Sequence, residues 1–245
     1  MGKVIVITGA GSGLGRSIAL RLARSGNDVV LLGRTLAKLE AVAAEIGERA
    51  MAVRCDVASA DSVREAFATI SARFPRIELL INNAATFPHA LIAEASDEDI
   101  VGTIGIDLVG PILCSRSAIP MLNRGGQILN VSSGAVGSHF GGLTFYAAAK
   151  AGLERFSLGL LEELQSQDIS VTYVRAGQMV ERLDKWDNDP VLKQLADRIA
   201  SHGGIDPRSR PSSTFASVAE IFQTLIDLPP DLRLPSIVLR PRKYS

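Results

Sequence analysis

Cysteine is nearly missing: Cys55 and Cys114 are the only two in 245 residues. That excludes a disulfide-built secreted scaffold, and with three histidines no Cys/His cluster has zinc-ligand spacing, so no metal is expected. Both thiols read as ordinary buried core residues. Charge of one sign is missing too. Lys+Arg and Asp+Glu number 26 each, for a formal net charge of +0. This speaks against a nucleic-acid partner and against a polybasic membrane anchor. No apolar run approaches the ~18 residues that span a bilayer. The first six residues lack a signal-peptide layout, and Val6 stands where myristoylation needs a hydroxyl residue. The expectation is a soluble cytoplasmic protein with no nucleic-acid or membrane partner.

Core-forming material is abundant: 47% of residues are hydrophobic and 21% charged. Val/Ile-rich runs at 3–8, 28–32, 51–56, 77–82 and 127–132 read as strands. Amphipathic stretches of helical period separate them at 13–25, 36–46, 60–74 and 97–122. Continuous rather than alternating apolar strands imply that both faces of the sheet are covered. Strand–helix alternation then gives a doubly wound parallel α/β sheet of about seven strands with helices on both faces. The second half continues with a helix near 144–166, a strand at 169–175, a helix at 215–228 and a strand at 235–239. Between 177 and 213 the pattern degrades around Pro190, Gly203, Gly204, Pro207 and Pro211. This stretch reads as an excursion over the site with one or two short helices, so residues 1–245 form one domain.

The first strand runs into Thr8-Gly9-Ala10-Gly11-Ser12-Gly13-Leu14-Gly15, and a helix follows. Glycines between a strand and a helix permit positive φ and close approach of a pyrophosphate, while the helix start favours an anion. At the end of the second strand, roughly 20 residues on, dinucleotide binders that take NAD place an acid on the ribose 2′-OH. Here Gly33-Arg34 stands there. A guanidinium can bind a 2′-phosphate that a carboxylate would repel.

The spacing T-G-x-x-x-G-x-G resembles the fingerprint of the short-chain dehydrogenase/reductase family. The resemblance implies a nicotinamide dinucleotide over Thr8, Gly9, Gly11, Ser12, Gly13, Leu14 and Gly15. With Arg34 it implies a preference for NADP(H) over NAD(H). It also implies that Asp56-Val57 meets the adenine, that Asn83-Ala84 lies beneath the cofactor, and that Gly177 borders it.

Tyr146 and Lys150 lie four apart on a helix and so share a face. An ammonium there should lower the tyrosine pKa and fit it for acid/base work. Ser133 ends the fifth strand, at the carboxyl edge where open α/β sheets bind ligands. The same family resemblance implies that Ser133 orients the substrate carbonyl, that Tyr146 transfers the proton, and that Lys150 binds the nicotinamide ribose. Asp107 stands where the family carries its fourth catalytic residue, an asparagine that holds a relay water. Three further departures are Ala85 for the glycine of N-N-A-G, Ala176 for the proline of Pro-Gly, and Glu181 for a threonine near the nicotinamide. Repulsion between Glu181 and the cofactor would turn that side chain toward solvent or toward Arg182 or Lys185.

The resemblance therefore implies an NADP(H)-dependent oxidoreductase acting on a carbonyl or secondary alcohol of a small-molecule substrate. One alternative is a 3-oxoacyl-thioester reductase. Another, of a different class, is an NADP(H)-binding regulator with little turnover. The family commonly assembles as homodimers or homotetramers through the helices that begin near Asp97 and Thr144. His89, His139 and His202 read as surface or packing residues. Met179 and Trp186 belong to the excursion, as packing or as part of the substrate pocket.

Overall fold

Each Val/Ile run becomes a strand of one seven-stranded sheet, and each amphipathic stretch becomes a crossover. The computed structural model describes residues 2–138, 140–183, 188–201 and 205–242. In chain order these are β1 Val4–Thr8, α1 Gly13–Arg24, β2 Asp28–Gly33, α2 Leu36–Ile46, β3 Ala50–Arg54, α3 Ala60–Arg73 and β4 Ile77–Asn82. They continue as α4 Asp97–Ile104, α5 Gly110–Ala118, β5 Leu122–Ser133, α6 Thr144–Glu163 and β6 Ser170–Ala176. The last elements are β7 Met179–Val180, α7 Pro190–Ser201, β8 Ser213–Thr214, α8 Phe215–Ile226 and β9 Ser236–Leu239.

All pairings in the large sheet are parallel, in the order β3-β2-β1-β4-β5-β6-β9. Order reverses between β1 and β4, which opens a crevice at the carboxyl ends of these two strands. Alternate residues of each strand feed two cores. Ile5, Ile7, Val29, Leu31 and Leu129 pack with Ile18 and Leu22 of α1 and Phe222 of α8. Val6, Val30, Leu32, Leu80 and Ile128 pack with Phe67 and Ile70 of α3 and Leu160 of α6. Both faces are therefore covered, as the continuous apolar strands require. The two cysteines sit in the second core. Burial pushes the Cys55 thiol up to about 11 and Cys114 up as well, so both are inert packing groups.

Two expectations need correction. The stretch 97–122 is not one α-helix: α4 passes into a π-helical turn, Gly105–Val109, before α5 starts with Pro111 in its first turn. Proline lacks the N–H that an uninterrupted ladder would need, and its place in the first turn of a helix meets that lack. β5 also begins at Leu122, five residues before the expected start at Gln127, with a register irregularity against β4 between Ile77 and Leu79. Asp97–Met121 as a whole is long and apolar enough to cross a membrane by length and mean hydropathy, 1.3. Its inner side is committed to the protein through Asp107, Cys114 and Ala118, all fully buried.

The excursion carries α7, a 3₁₀ turn at Pro207–Ser209, and the short parallel pair β7–β8. Gln178 ties its two ends together, donating to Pro207 O at 2.8 Å and Ser212 Oγ at 2.8 Å. Lys185, Trp186, His139, His202, Gly203 and Gly204 lie outside the described residues.

Candidate active site

The turn after β1 is shaped by two glycines with different reasons. Gly13 takes φ +55° as α1 begins, a region that L side chains rarely enter. Gly15 needs its missing side chain for space, since a Cβ there would lie 2.3 Å from Gly9 O. The first N–H groups of α1 have no partner within the helix and open toward the cavity. Thr8 works from behind: its Oγ1 accepts from Asn83 N at 2.9 Å and Ala84 N at 3.0 Å, and Asn83 Nδ2 donates to Thr8 O at 3.0 Å. These bonds lock the end of β1 to the segment after β4.

A cavity of about 1080 Å³ runs along the carboxyl ends of the strands. Gly9, Gly11, Ser12, Gly13, Leu14, Arg34, Asp56, Val57, Asn83, Ala84 and Gly177 all line it, together with Ser133, Tyr146 and Lys150. Thr8, Gly15 and Asp107 do not. The first two shape the turn from beneath, and Asp107 lies behind Lys150. Arg34 is exposed and makes no hydrogen bond or ion pair among the described residues, so it is free for a ligand. Glu181 is exposed and off the cavity wall.

Helix α6 carries the candidate catalytic side chains Tyr146 and Lys150. Tyr146 is half-buried, and its ring lies 6.1 Å from that of Phe87. Lys150, one turn on, is 2% exposed and donates to Val131 O at 2.9 Å. Its ammonium pairs with Asp107 at 3.0 Å, and Asp107 also accepts from Thr86 N at 3.0 Å. Burial raises the Asp107 carboxyl, while Lys150 and the Thr86 N–H oppose the rise. The π-helical turn is what brings Asp107 inward.

The tyrosine shift has the opposite sign to the expected one, and burial is its main cause. Loss of hydration pushes the Tyr146 phenol up to about 12, a hydrogen bond with Ser133 opposes the rise, and the Asp107 charge adds to it. The lysine that should favour phenolate is already matched by a carboxylate.

Sequence reasoning missed a second, half-buried ion pair next to the first. Glu154, one turn beyond Lys150 on α6, accepts from Ser132 Oγ at 2.6 Å and from Arg175 Nε at 2.8 Å. Arg175 lines the cavity. The i, i+4, i+8 spacing of Tyr146, Lys150 and Glu154 was the available signal. Behind them Asn82 donates to Asn130 at 2.8 Å, and Asn130 donates to Ser157 at 2.8 Å, stitching β4, β5 and α6.

The family profile described as short chain dehydrogenase matches residues 3–189. The chain belongs to this family. It is 30% identical to carbonyl reductase family member 4 of Danio rerio over 93% of this chain and 91% of the relative. It is 34% identical to a 3-oxoacyl-[acyl-carrier-protein] reductase of Synechocystis over 78% and 80%. A solved short-chain dehydrogenase of Burkholderia cenocepacia in complex with NADP superposes with a TM-score of 0.82 at 26% identity, covering 98% of this chain and 96% of that one. An alcohol dehydrogenase of Thermococcus sibiricus shares the fold over the full length of both chains, with a TM-score of 0.83 at 24% identity. The protein is thus an oxidoreductase of the short-chain dehydrogenase family.

Proposed function

We propose that the protein transfers a hydride between NADP(H) and a carbonyl or secondary alcohol of a small substrate. The observation that carries this reading is one cavity lined by the glycine turn, the uncommitted Arg34, and Ser133, Tyr146 and Lys150. The NADP-bound relative supports the same cofactor here. The residues present fit that group: the turn is open backbone where phosphates would lie, and Arg34 offers a guanidinium to a 2′-phosphate.

When bound, the nicotinamide supplies or accepts the hydride. Ser133 orients the substrate oxygen through its hydroxyl. Tyr146 gives that oxygen a proton in reduction, or takes one in oxidation. A phenol held near 12 stays protonated at neutral pH, which fits Tyr146 to the reductive direction. Lys150 carries its charge at the inner wall, and Asp107 acts through Lys150 as a positioning residue.

The names of the relatives favour a second reading, reduction of a 3-oxoacyl thioester. The cancelled lysine charge favours a third, a cofactor-binding regulator with little turnover. One experiment separates them. NADPH binding is titrated, and NADPH oxidation is followed against simple ketones, keto acids and a 3-oxoacyl thioester. Turnover is expected, with a 10²–10⁴-fold loss in Tyr146→Phe. Binding without turnover on every carbonyl would leave only the regulator. A homodimer or homotetramer and a cytoplasmic location complete the proposal. The first is supported by apolar Val101, Val109, Ile112 and Leu158 exposed on α4, the π turn, α5 and α6. The second extends the expectation drawn from composition and charge.

A further inference from the structure

The cavity wall carries its charge unevenly. Asp56 is the only carboxylate on it among the described residues, at the end where Val57 and Arg34 lie. Toward Ser133 and Tyr146 the ionic groups are Lys150, Arg175, Arg210 and Arg240. Two of these are already matched, Lys150 by Asp107 and Arg175 by Glu154. Arg240 is exposed at the end of β9. Arg210 is different: it is half-buried, lines the cavity, and makes no ion pair among the described residues. Its guanidinium lies 4.4 Å from the centroid of the Phe140 ring.

That stacking has a consequence for recognition. An arginine held over an aromatic ring keeps N–H groups for a planar or tetrahedral oxyanion, and its orientation costs little further entropy on binding. Phe140 belongs to the segment that joins Ser133 to Tyr146, and Leu143 N donates to Phe140 O at 3.3 Å just before α6 begins. Arg210 is therefore held against the loop that delivers the acid. The same cavity is lined by apolar Phe87, Leu143, Ile205 and Pro211. A half-buried guanidinium with no ion partner among the described residues has donors available to an anion in this cavity.

We propose that the substrate is a carbonyl compound bearing an oxyanion, carboxylate or phosphate, on an apolar body, and that Arg210 binds the oxyanion. This rests on the oxidoreductase reading above. The cofactor has its own phosphate partners in the glycine turn and Arg34, at the other end of the cavity. The rival assignment is that Arg210 serves the cofactor, because Phe215, shortly after it in the chain, comes within 3.8 Å of the Cβ position of Gly13.

The test uses matched substrates: a keto acid, its methyl ester, and the corresponding phosphate monoester and alcohol. NADPH oxidation is measured with each in the parent protein, Arg210→Met and Arg210→Lys, and the NADPH dissociation constant is titrated in all three. The parent is expected to prefer one or both anions over their neutral partners in kcat/KM. Whichever anion leads identifies the group. Arg210→Met should shrink that ratio by about ten- to a hundredfold, mainly through KM, with Arg210→Lys in between and NADPH affinity held. A saturated carboxylate or phosphate of the same body should inhibit the parent more strongly than Arg210→Met. Equal kcat/KM for charged and neutral partners in the parent overturns the assignment and leaves the oxidoreductase standing. A tenfold loss of NADPH affinity in Arg210→Met also overturns it, giving the residue to the cofactor. Absence of turnover with every partner, under saturating NADPH, overturns the oxidoreductase reading and this inference with it.

Discussion

At Tyr146 and Lys150 the residue types and spacing were readable from the chain, but their electrostatics were not. The shift of a phenol depends on every charge around it, and Asp107 reaches Lys150 from a different helix. Asp107→Asn removes a charge that disfavours phenolate, so the Tyr146 pKa should fall from about 12. The sign follows directly. Oxidation needs the phenolate, so its alkaline rise should move toward neutrality. Reduction needs the phenol, so its alkaline decline should move the same way. The displacement should be only part of the whole rise, because burial contributes more to it than the Asp107 charge does. The change therefore falls on the alkaline limb, and not first on the acidic limb as a carboxylate relay would suggest. Superimposable pH–rate profiles for parent and variant would remove Asp107 from the electrostatics of the acid. Arg34 offers a second check at this scale. Arg34→Asp replaces a donor fork by a repelling carboxylate, so the preference for NADPH over NADH should fall by at least ten- to a hundredfold. Equal affinities for both cofactors in the parent would show that Arg34 meets no phosphate.

Elements were legible where hydrophobic period and punctuation agreed, and illegible where they disagreed. The helices α1, α2 and α3 lie close to where their apolar stripes placed them. The run 97–122 kept a helical pattern throughout, and Gly105, Gly110 and Pro111 within it marked the break. A π turn preserves a helical sequence pattern while inserting an extra residue per turn, so periodicity alone does not reveal it. Its effect is on the site, because it carries Asp107 to Lys150 and leaves Gly110 against Val57. A Cβ on Gly110 would lie 2.9 Å from Val57 Cγ2, and Val57 lines the cavity. Gly110→Ala should therefore overpack this junction by about 1–3 kcal/mol. Thermal unfolding should report the loss, and a several-fold weaker NADPH affinity should accompany it through the displaced Val57. A variant with parent-like melting and binding would show that Val57 gives way freely.

For the molecule as a whole, the elements that pack behind Lys150 also carry exposed apolar side chains on their outer side. Val101 is 70% exposed, and Val109, Ile112 and Leu158 lie with it on α4, the π turn, α5 and α6. These side chains carry the proposed interface between copies of the chain. The inner side of the same stretch holds Asp107 on Lys150, so a partner laid on the outer side would brace the ion pair. Val101→Glu with Ile112→Glu places charges on that proposed interface, where desolvating them opposes association. Sedimentation should show a dimer or tetramer for the parent and smaller species for the double variant. The monomer should bind NADPH, since the glycine turn and Arg34 lie elsewhere. Its pH–rate profile should move toward that of Asp107→Asn, because an unbraced π turn holds Asp107 less firmly on Lys150. A parent that sediments as a monomer removes the interface, and a dissociated variant with an unchanged pH profile separates assembly from the chemistry of Tyr146.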